Sequence, residues 1–198
     1  MDVRKVALSL ILVGVFIVGI VFFLFQEEQI PAPAVIEEPE EVVIEAVLET
    51  TQTTIGVSVE GREIDAFTFG TGAQDLLFVG GIHGGYEWNS VLLAYELIDR
   101  FTADDSLIPE GVTVHIIPDL NPDATAMIHT AEGSRFTEAD LIPGFDQTVA
   151  RFNSKGVDLN RNFGCKWQSE SSWRGEKVSA GTSAFSEPEA IALRNYVL

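Results

Sequence analysis

The chain has 198 residues, 46% of them hydrophobic, enough for one ordinary domain with a real core plus appendages, and this excludes disorder throughout. Its formal net charge of −18 argues against a nucleic-acid partner, because a phosphate backbone would be repelled. Eight of the negative charges are glutamates between Glu27 and Glu49, so the remainder is only moderately acidic, and the single cysteine, Cys165, leaves no internal disulfide to form.

From Val6 to Phe25 the chain is apolar apart from glycines and one serine. At a rise of about 1.5 Å per residue, a helix of that length reaches the ~30 Å thickness of a bilayer's hydrocarbon. Arg4 and Lys5 precede it and Glu27 and Glu28 follow. The positive-inside rule therefore predicts one transmembrane helix with a cytoplasmic N-terminus and an extracytoplasmic remainder. A cleaved signal peptide is the competing reading. The run exceeds the roughly 7 to 15 residues of a signal core, and no small-x-small site precedes the glutamates, which favours an uncleaved membrane anchor over residues 1–26. Residues 27–54, with Pro31, Pro33 and Pro39 among glutamates, read as an extended, self-repelling spacer.

A domain is expected from residue 55 to 198. Ile55, Val57 and Val59 alternate, Glu60-Gly61 supplies a turn, and Ile64 and Ala66 resume the alternation toward Phe69, the pattern of a β-hairpin. A buried strand from Leu76 to Val79 ends in glycines. A helix follows from about Ser90 to Phe101, with Val91, Ala94, Tyr95 and Ile98 on one face and Asn89 or Ser90 as cap. Val112 to Leu120 is a further strand, closed by Asn121-Pro122-Asp123. Strand, helix, strand in this order implies an α/β fold with a mixed, largely parallel sheet flanked by helices. Residues 124–155 read as an irregular polar loop. Gly156 to Phe163 reads as a glycine-led strand that ends in Asn-Arg-Asn, and a loop rich in Trp, Ser and Gly follows. Ser186-Glu187-Pro188-Glu189 then opens a last helix as a capping box, with Ala190, Leu193 and Val197 on one face.

Two places carry chemistry. His83 and Glu87 follow the glycine turn after the Leu76–Val79 strand, and together they supply a neutral nitrogen and an anionic oxygen, a pair that suits zinc. In Asp158-Leu159-Asn160-Arg161-Asn162, two amides around a guanidinium can present a planar fork of donors to a carboxylate. The bland alternatives are a surface accident for the first and an Asx-bonded turn for the second. His115, in mid-strand, and His129, in the polar loop, are expected to be structural or solvated.

Taken together, Gly81-Ile82-His83 with Glu87-Trp88, Asn121-Pro122-Asp123, Arg151, Gly156 to Phe163, and Phe185 to Glu189 resemble the zinc metallocarboxypeptidases of the carboxypeptidase A type, with every block in the family's order. The resemblance implies Zn2+ bound by His83 and Glu87. It also implies a peptide's C-terminal carboxylate held by Asn160 and Arg161, and Arg151 as the catalytic arginine that steadies the oxyanion. The implied reaction is hydrolysis of a C-terminal peptide bond, of ordinary peptides or of cell-wall peptides. Two departures stand out. The family usually places two residues between its first His and Glu, whereas Gly84, Gly85 and Tyr86 lie between His83 and Glu87. The family's third zinc ligand, a His, and its general-base Glu match nothing in this chain. It is therefore expected to be the N-terminal part of a catalytic domain, weak in zinc binding and in hydrolysis. The alternative is a non-catalytic, membrane-anchored module that binds peptide C-termini.

Overall fold

The computed structural model describes residues 51–198, so the anchor and most of the acidic spacer lie outside the described residues. Among the described residues no helix is long and apolar enough to cross a membrane.

The hairpin forms as expected from strands β1 (Thr51–Val57) and β2 (Glu63–Phe69), which pair antiparallel. It takes in Thr51 to Thr54, the last residues of the stretch read as spacer. Strand β3 (Gln74–Val79), helix α1 (Trp88–Ala103) and strand β4 (Val112–Ile117) complete a sheet of order β1-β2-β4-β3. Only the β3–β4 pairing is parallel. Strand β4 inserts between the hairpin and β3 and runs against β2, so the sheet is mixed and not largely parallel. Strand β3 is an edge among the described residues. For that reason Leu76 and Leu77, read as buried, are 49% and 42% exposed.

Alternation along the strands feeds two cores. Phe67 and Phe69 of β2 and Val114 and Ile116 of β4 pack with Val91, Ala94, Tyr95 and Ile98, the four α1 residues singled out by helical spacing. Ile64, Ala66 and Ile117 instead pack with Ala192 and Leu193 of α3 (Pro188–Val197). Full burial of side chains such as Ile64, Ile116 and Ile117 contributes roughly 1.5–3 kcal/mol each. A Cβ on Gly56 would stand 2.5 Å from the Ala192 Cβ, so glycine is what lets α3 lie so close to β1.

The element ends differ from the sequence reading for identifiable reasons. Helix α1 starts at Trp88 because a 3-10 turn, Gly84–Glu87, runs straight into it. Ser90 does not cap it. Its hydroxyl donates to the Glu87 carbonyl and accepts from the Gly81 N–H, stitching turn to helix. Strand β4 stops before Pro118, and Asn121 caps a short helix α2 (Pro122–Thr125). Gly156 to Phe163 is not a strand: Val157 makes a single bridge to Ser179 and a 3-10 turn, Leu159–Arg161, follows. The Trp-rich loop contains an unforeseen hairpin, β5 (Glu170–Trp173) with β6 (Glu176–Ser179). At α3 the cap is Glu187 and the capping box does not form, because Ser186 Oγ accepts from Asn162 and Thr182. Glu189 is buried and accepts from the Val59 N–H and from Asn153, and its burial pushes its carboxyl up. Glu189, Ala190 and Ala192 are the buried residues of α3, while Val197 is exposed.

Candidate active site

The metal turn is built on close approach. Gly84 has φ 44°, and a Cβ there would meet Ala124 Cβ at 2.5 Å. A Cβ on Gly85 would meet Ile128 Cγ2 at 2.6 Å. Both glycines are therefore needed for the turn to lie against α2, and the additional residue between His83 and Glu87 is accommodated as one 3-10 turn. That turn brings the two side chains together, with His83 Nδ1 2.7 Å from Glu87 Oε1.

His83 is buried, and its other nitrogen, Nε2, lies 3.2 Å from Asp158 Oδ1. A carboxylate faces each ring nitrogen, and with an ion on Nδ1 the proton would sit on Nε2 and point at Asp158, the way a ligating histidine is usually oriented. Asp158 is itself fully enclosed. Its Oδ2 accepts from Arg151 Nε at 3.2 Å and Nη2 at 2.9 Å, and its Oδ1 also accepts from the Asn160 N–H. Burial by itself raises the Asp158 carboxyl. The hydrogen bonds from His83 and Arg151 outweigh that and hold it below the usual carboxylate range. Arg151 is buried, with its guanidinium carbon 4.5 Å from the Trp173 ring centre and 5.6 Å from that of Tyr86. Glu87, His83, Asp158, Arg151 and Trp173 thus form one continuous chain of contacts.

The pair expected to hold a carboxylate is different in kind. Asn160 is exposed and Arg161 is half-buried, donating only to the carbonyls of Asn160 and Ser172. Together with Phe163 and Trp167 they line an open cavity of about 310 Å³. Asn162 is not part of the fork. It is fully buried, and its amide donates to the Ala180 and Ser183 carbonyls and to Ser186, which holds the loop to the start of α3. Asn153 does the same further back, donating to Glu187 and Glu189 while accepting from the Lys155 and Val157 N–H groups.

The donor chemistry of His83 and Glu87 fits zinc: an imidazole nitrogen and a carboxylate oxygen converge, and a second carboxylate orients the imidazole. Among the described residues no group of three or more such side chains converges. His115 is occupied by Tyr196 and Asp75, and His129 stacks on Phe136 with ring centres 4.4 Å apart. The residues that sequence reasoning passed over are Asp158, Tyr86, Trp173 and Arg174. Asp158 stood inside the quoted motif without a role. The pair Trp173-Arg174 precedes a glycine between two short polar stretches, which is a hairpin signal.

A zinc carboxypeptidase family model matches residues 47–198. Carboxypeptidase D of Drosophila melanogaster is 29% identical over 158 residues, covering 73% of this chain and 10% of that protein. The inactive metallocarboxypeptidase ECM14 of Ajellomyces dermatitidis is 30% identical over 151 residues, covering 66% of this chain and 24% of that protein. Among solved structures, carboxypeptidase A from Helicoverpa armigera aligns with a TM-score of 0.51 and 27% identity over 75% of this chain and 37% of that one. The chain therefore spans well under half the length of these relatives. The ordered blocks, the His–Glu turn backed by Asp158, and a family match over the whole described domain lead to one assignment: this chain belongs to the zinc carboxypeptidase family.

Proposed function

We propose that the domain supplies half of a zinc site and the C-terminal-carboxylate clamp of a metallocarboxypeptidase that hydrolyses the last peptide bond of its substrate. The observation that carries this reading is the contact chain in which Asp158 holds His83 on one oxygen and Arg151 on the other. His83 and Glu87 would hold the ion. Zinc supplies Lewis-acid activation of water and of the scissile carbonyl in such sites. Asp158 keeps the His83 proton on Nε2. Arg151, immobilised by Asp158 and Trp173, leaves Nη1 without a hydrogen bond among the described residues, available to an oxyanion. Asn160 and Arg161 hold the chain end, which places one bond over the metal.

A catalytic zinc takes three protein ligands, and two converge here. A second reading is a module that binds peptide C-termini without cleaving them. Zinc titration of the chain with His83→Ala and His129→Ala variants tests the metal half. Zinc uptake should be lost in H83A and kept in H129A, and uptake indifferent to H83A would sink the assignment. Product analysis of a free-carboxylate peptide incubated with the zinc-loaded chain separates the two readings, since only the enzyme releases a C-terminal amino acid.

A further inference from the structure

The tip of the β5–β6 hairpin brings an additional cation to the metal turn. Trp173 and Glu176 pair across a two-residue connection, Arg174-Gly175, whose φ angles are 53° and 85°. Such a turn accepts Asn or Gly most readily, because in the left-handed region a Cβ crowds the following carbonyl oxygen. Arg174 nevertheless stands there and is held in place. Its Nη2 donates to the Tyr86 hydroxyl at 2.9 Å, and its guanidinium carbon is 4.8 Å from the Trp173 ring centre. Tyr86 immediately precedes Glu87, so this bond fastens the hairpin tip to the metal turn.

Three guanidiniums therefore gather on one short stretch of β5 and its turn. Arg151 lies against Trp173, Arg161 donates to the Ser172 carbonyl, and Arg174 lies against Trp173 as well. Asp158 neutralises Arg151. Arg161 and Arg174 have no carboxylate partner among the described residues, in a chain that carries 30 acidic residues against 12 basic ones. Acidic side chains are abundant in this chain, and these two guanidiniums are kept clear of them. Arg161 is accounted for by the terminal carboxylate of the substrate. Arg174 is not. Its guanidinium, set over the Trp173 indole and held through Nη2 by the Tyr86 hydroxyl, keeps Nε and Nη1 for a second carboxylate.

We propose that Arg174 binds a second carboxylate of the substrate, so that the site selects peptides bearing an acidic side chain near the C-terminus. The inference rests on the carboxypeptidase reading only for the role of Arg161. The test is calorimetric titration of the full chain with four ligands: N-acetyl-Glu-Ala, N-acetyl-Ala-Glu, N-acetyl-Gln-Ala, and the C-terminal amide of the tighter glutamate peptide. Wild type is compared with Arg174→Asn, which suits a left-handed turn and so keeps the hairpin, and with Arg174→Lys, which keeps the charge without the fork. The tighter glutamate peptide should bind wild type about 10-fold better than the glutamine peptide, a difference of about 1.4 kcal/mol. R174N should erase that preference without weakening the glutamine peptide, and R174K should restore part of it. A preference unchanged in R174N, or none in wild type, overturns the proposal. The amide reads the other question. If it binds as tightly as the acid, the Arg161 clamp fails, while a glutamate preference that depends on Arg174 stands by itself. If no peptide binds at millimolar concentration, both are overturned.

Discussion

Asp158 and Arg161 belong to the same short turn but to opposite environments. Asp158 has no solvent-exposed side-chain surface, and both its oxygens are engaged, one by His83 and the Asn160 N–H, the other by Arg151. Arg161 is half-buried and touches only two carbonyls, at 3.2 and 3.4 Å. The metal side is thus organised by the protein itself, and its energetic stake lies in the fold. Arg161 keeps its charge without a carboxylate partner among the described residues, as the proposed clamp requires. Buried charge that is paired and fully hydrogen-bonded is rigid but dangerous to disturb, whereas a half-exposed guanidinium contributes little until something binds.

The sharpest way to break this contrast is at Asp158. Removing it in Asp158→Ala leaves Arg151 buried without a counter-charge and His83 Nε2 without an acceptor, and should destabilise the domain by about 3–5 kcal/mol. Asp158→Asn keeps the shape and one acceptor oxygen, so it should fold better while zinc affinity falls by about 10–100-fold. Urea denaturation and zinc titration of both variants measure the two effects. If D158A costs under about 1 kcal/mol, the metal side is not the pre-built network described, and the contrast with the clamp disappears.

Much of this was legible in the sequence because it depended on local pattern. Val91, Ala94, Tyr95 and Ile98 announced the buried face of α1 by spacing, and Ile64 and Ala66 announced a strand by alternation. Sheet order was not legible. That β4 would lie between β2 and β3 depends on pairings about 30 to 50 residues apart, and no local feature of Val112 to Ile117 says which neighbour it will run against. The site divides along the same line. His83, Glu87, Asn160 and Arg161 were singled out by residue type and order. Trp173 and Arg174 were missed because their part comes from a hairpin that folds back onto Arg151 and Tyr86, and spacing along the chain carries no trace of that contact. Asn162 shows the converse error: it lies in a motif that suggests recognition, yet its amide is spent holding the loop to α3.

A second buried carboxylate near the metal turn sharpens the comparison, because it lacks what Asp158 has. Asp119 lies at the end of the β4 segment so close to Gly81 that a Cβ there would stand 2.4 Å from Oδ1. It accepts from the Asn121 N–H and the Thr125 side chain, has no cation partner among the described residues, and burial outweighs these bonds and pushes its carboxyl up to about 7. An unfolded aspartate ionises near 3.9, as a free one does. Between that value and about 7 the native state holds a proton that the unfolded state has released. Stability should therefore fall as pH rises through this window and level off above it, with a loss on the order of 4 kcal/mol by pH 8. Asp119→Asn cannot ionise and keeps an acceptor for Asn121, so it should flatten the dependence and be the more stable protein at pH 8. Urea midpoints at pH 5 and pH 8 for both proteins decide the matter. A slope in D119N equal to wild type would mean that the pH dependence arises elsewhere.

The smallest expected effect on the fold is the most informative about the clamp. Arg161→Gln removes a charge that no carboxylate among the described residues balances and that makes only two long hydrogen bonds to carbonyls. Stability should stay within about 0.5 kcal/mol of wild type, the usual range for a surface substitution that breaks no buried network. Binding of a free-carboxylate peptide should nonetheless weaken about 10-fold or more, because a charge-assisted, bidentate contact is replaced by a neutral one. The amidated peptide, which never offered the guanidinium a carboxylate, should bind wild type and R161Q alike. The same two measurements made on D158A run in the opposite sense, with a large loss of stability. If R161Q also unfolds the domain by more than about 1 kcal/mol, the guanidinium is a structural strut between Asn160 and Ser172. The terminal carboxylate would then have to be held by other residues.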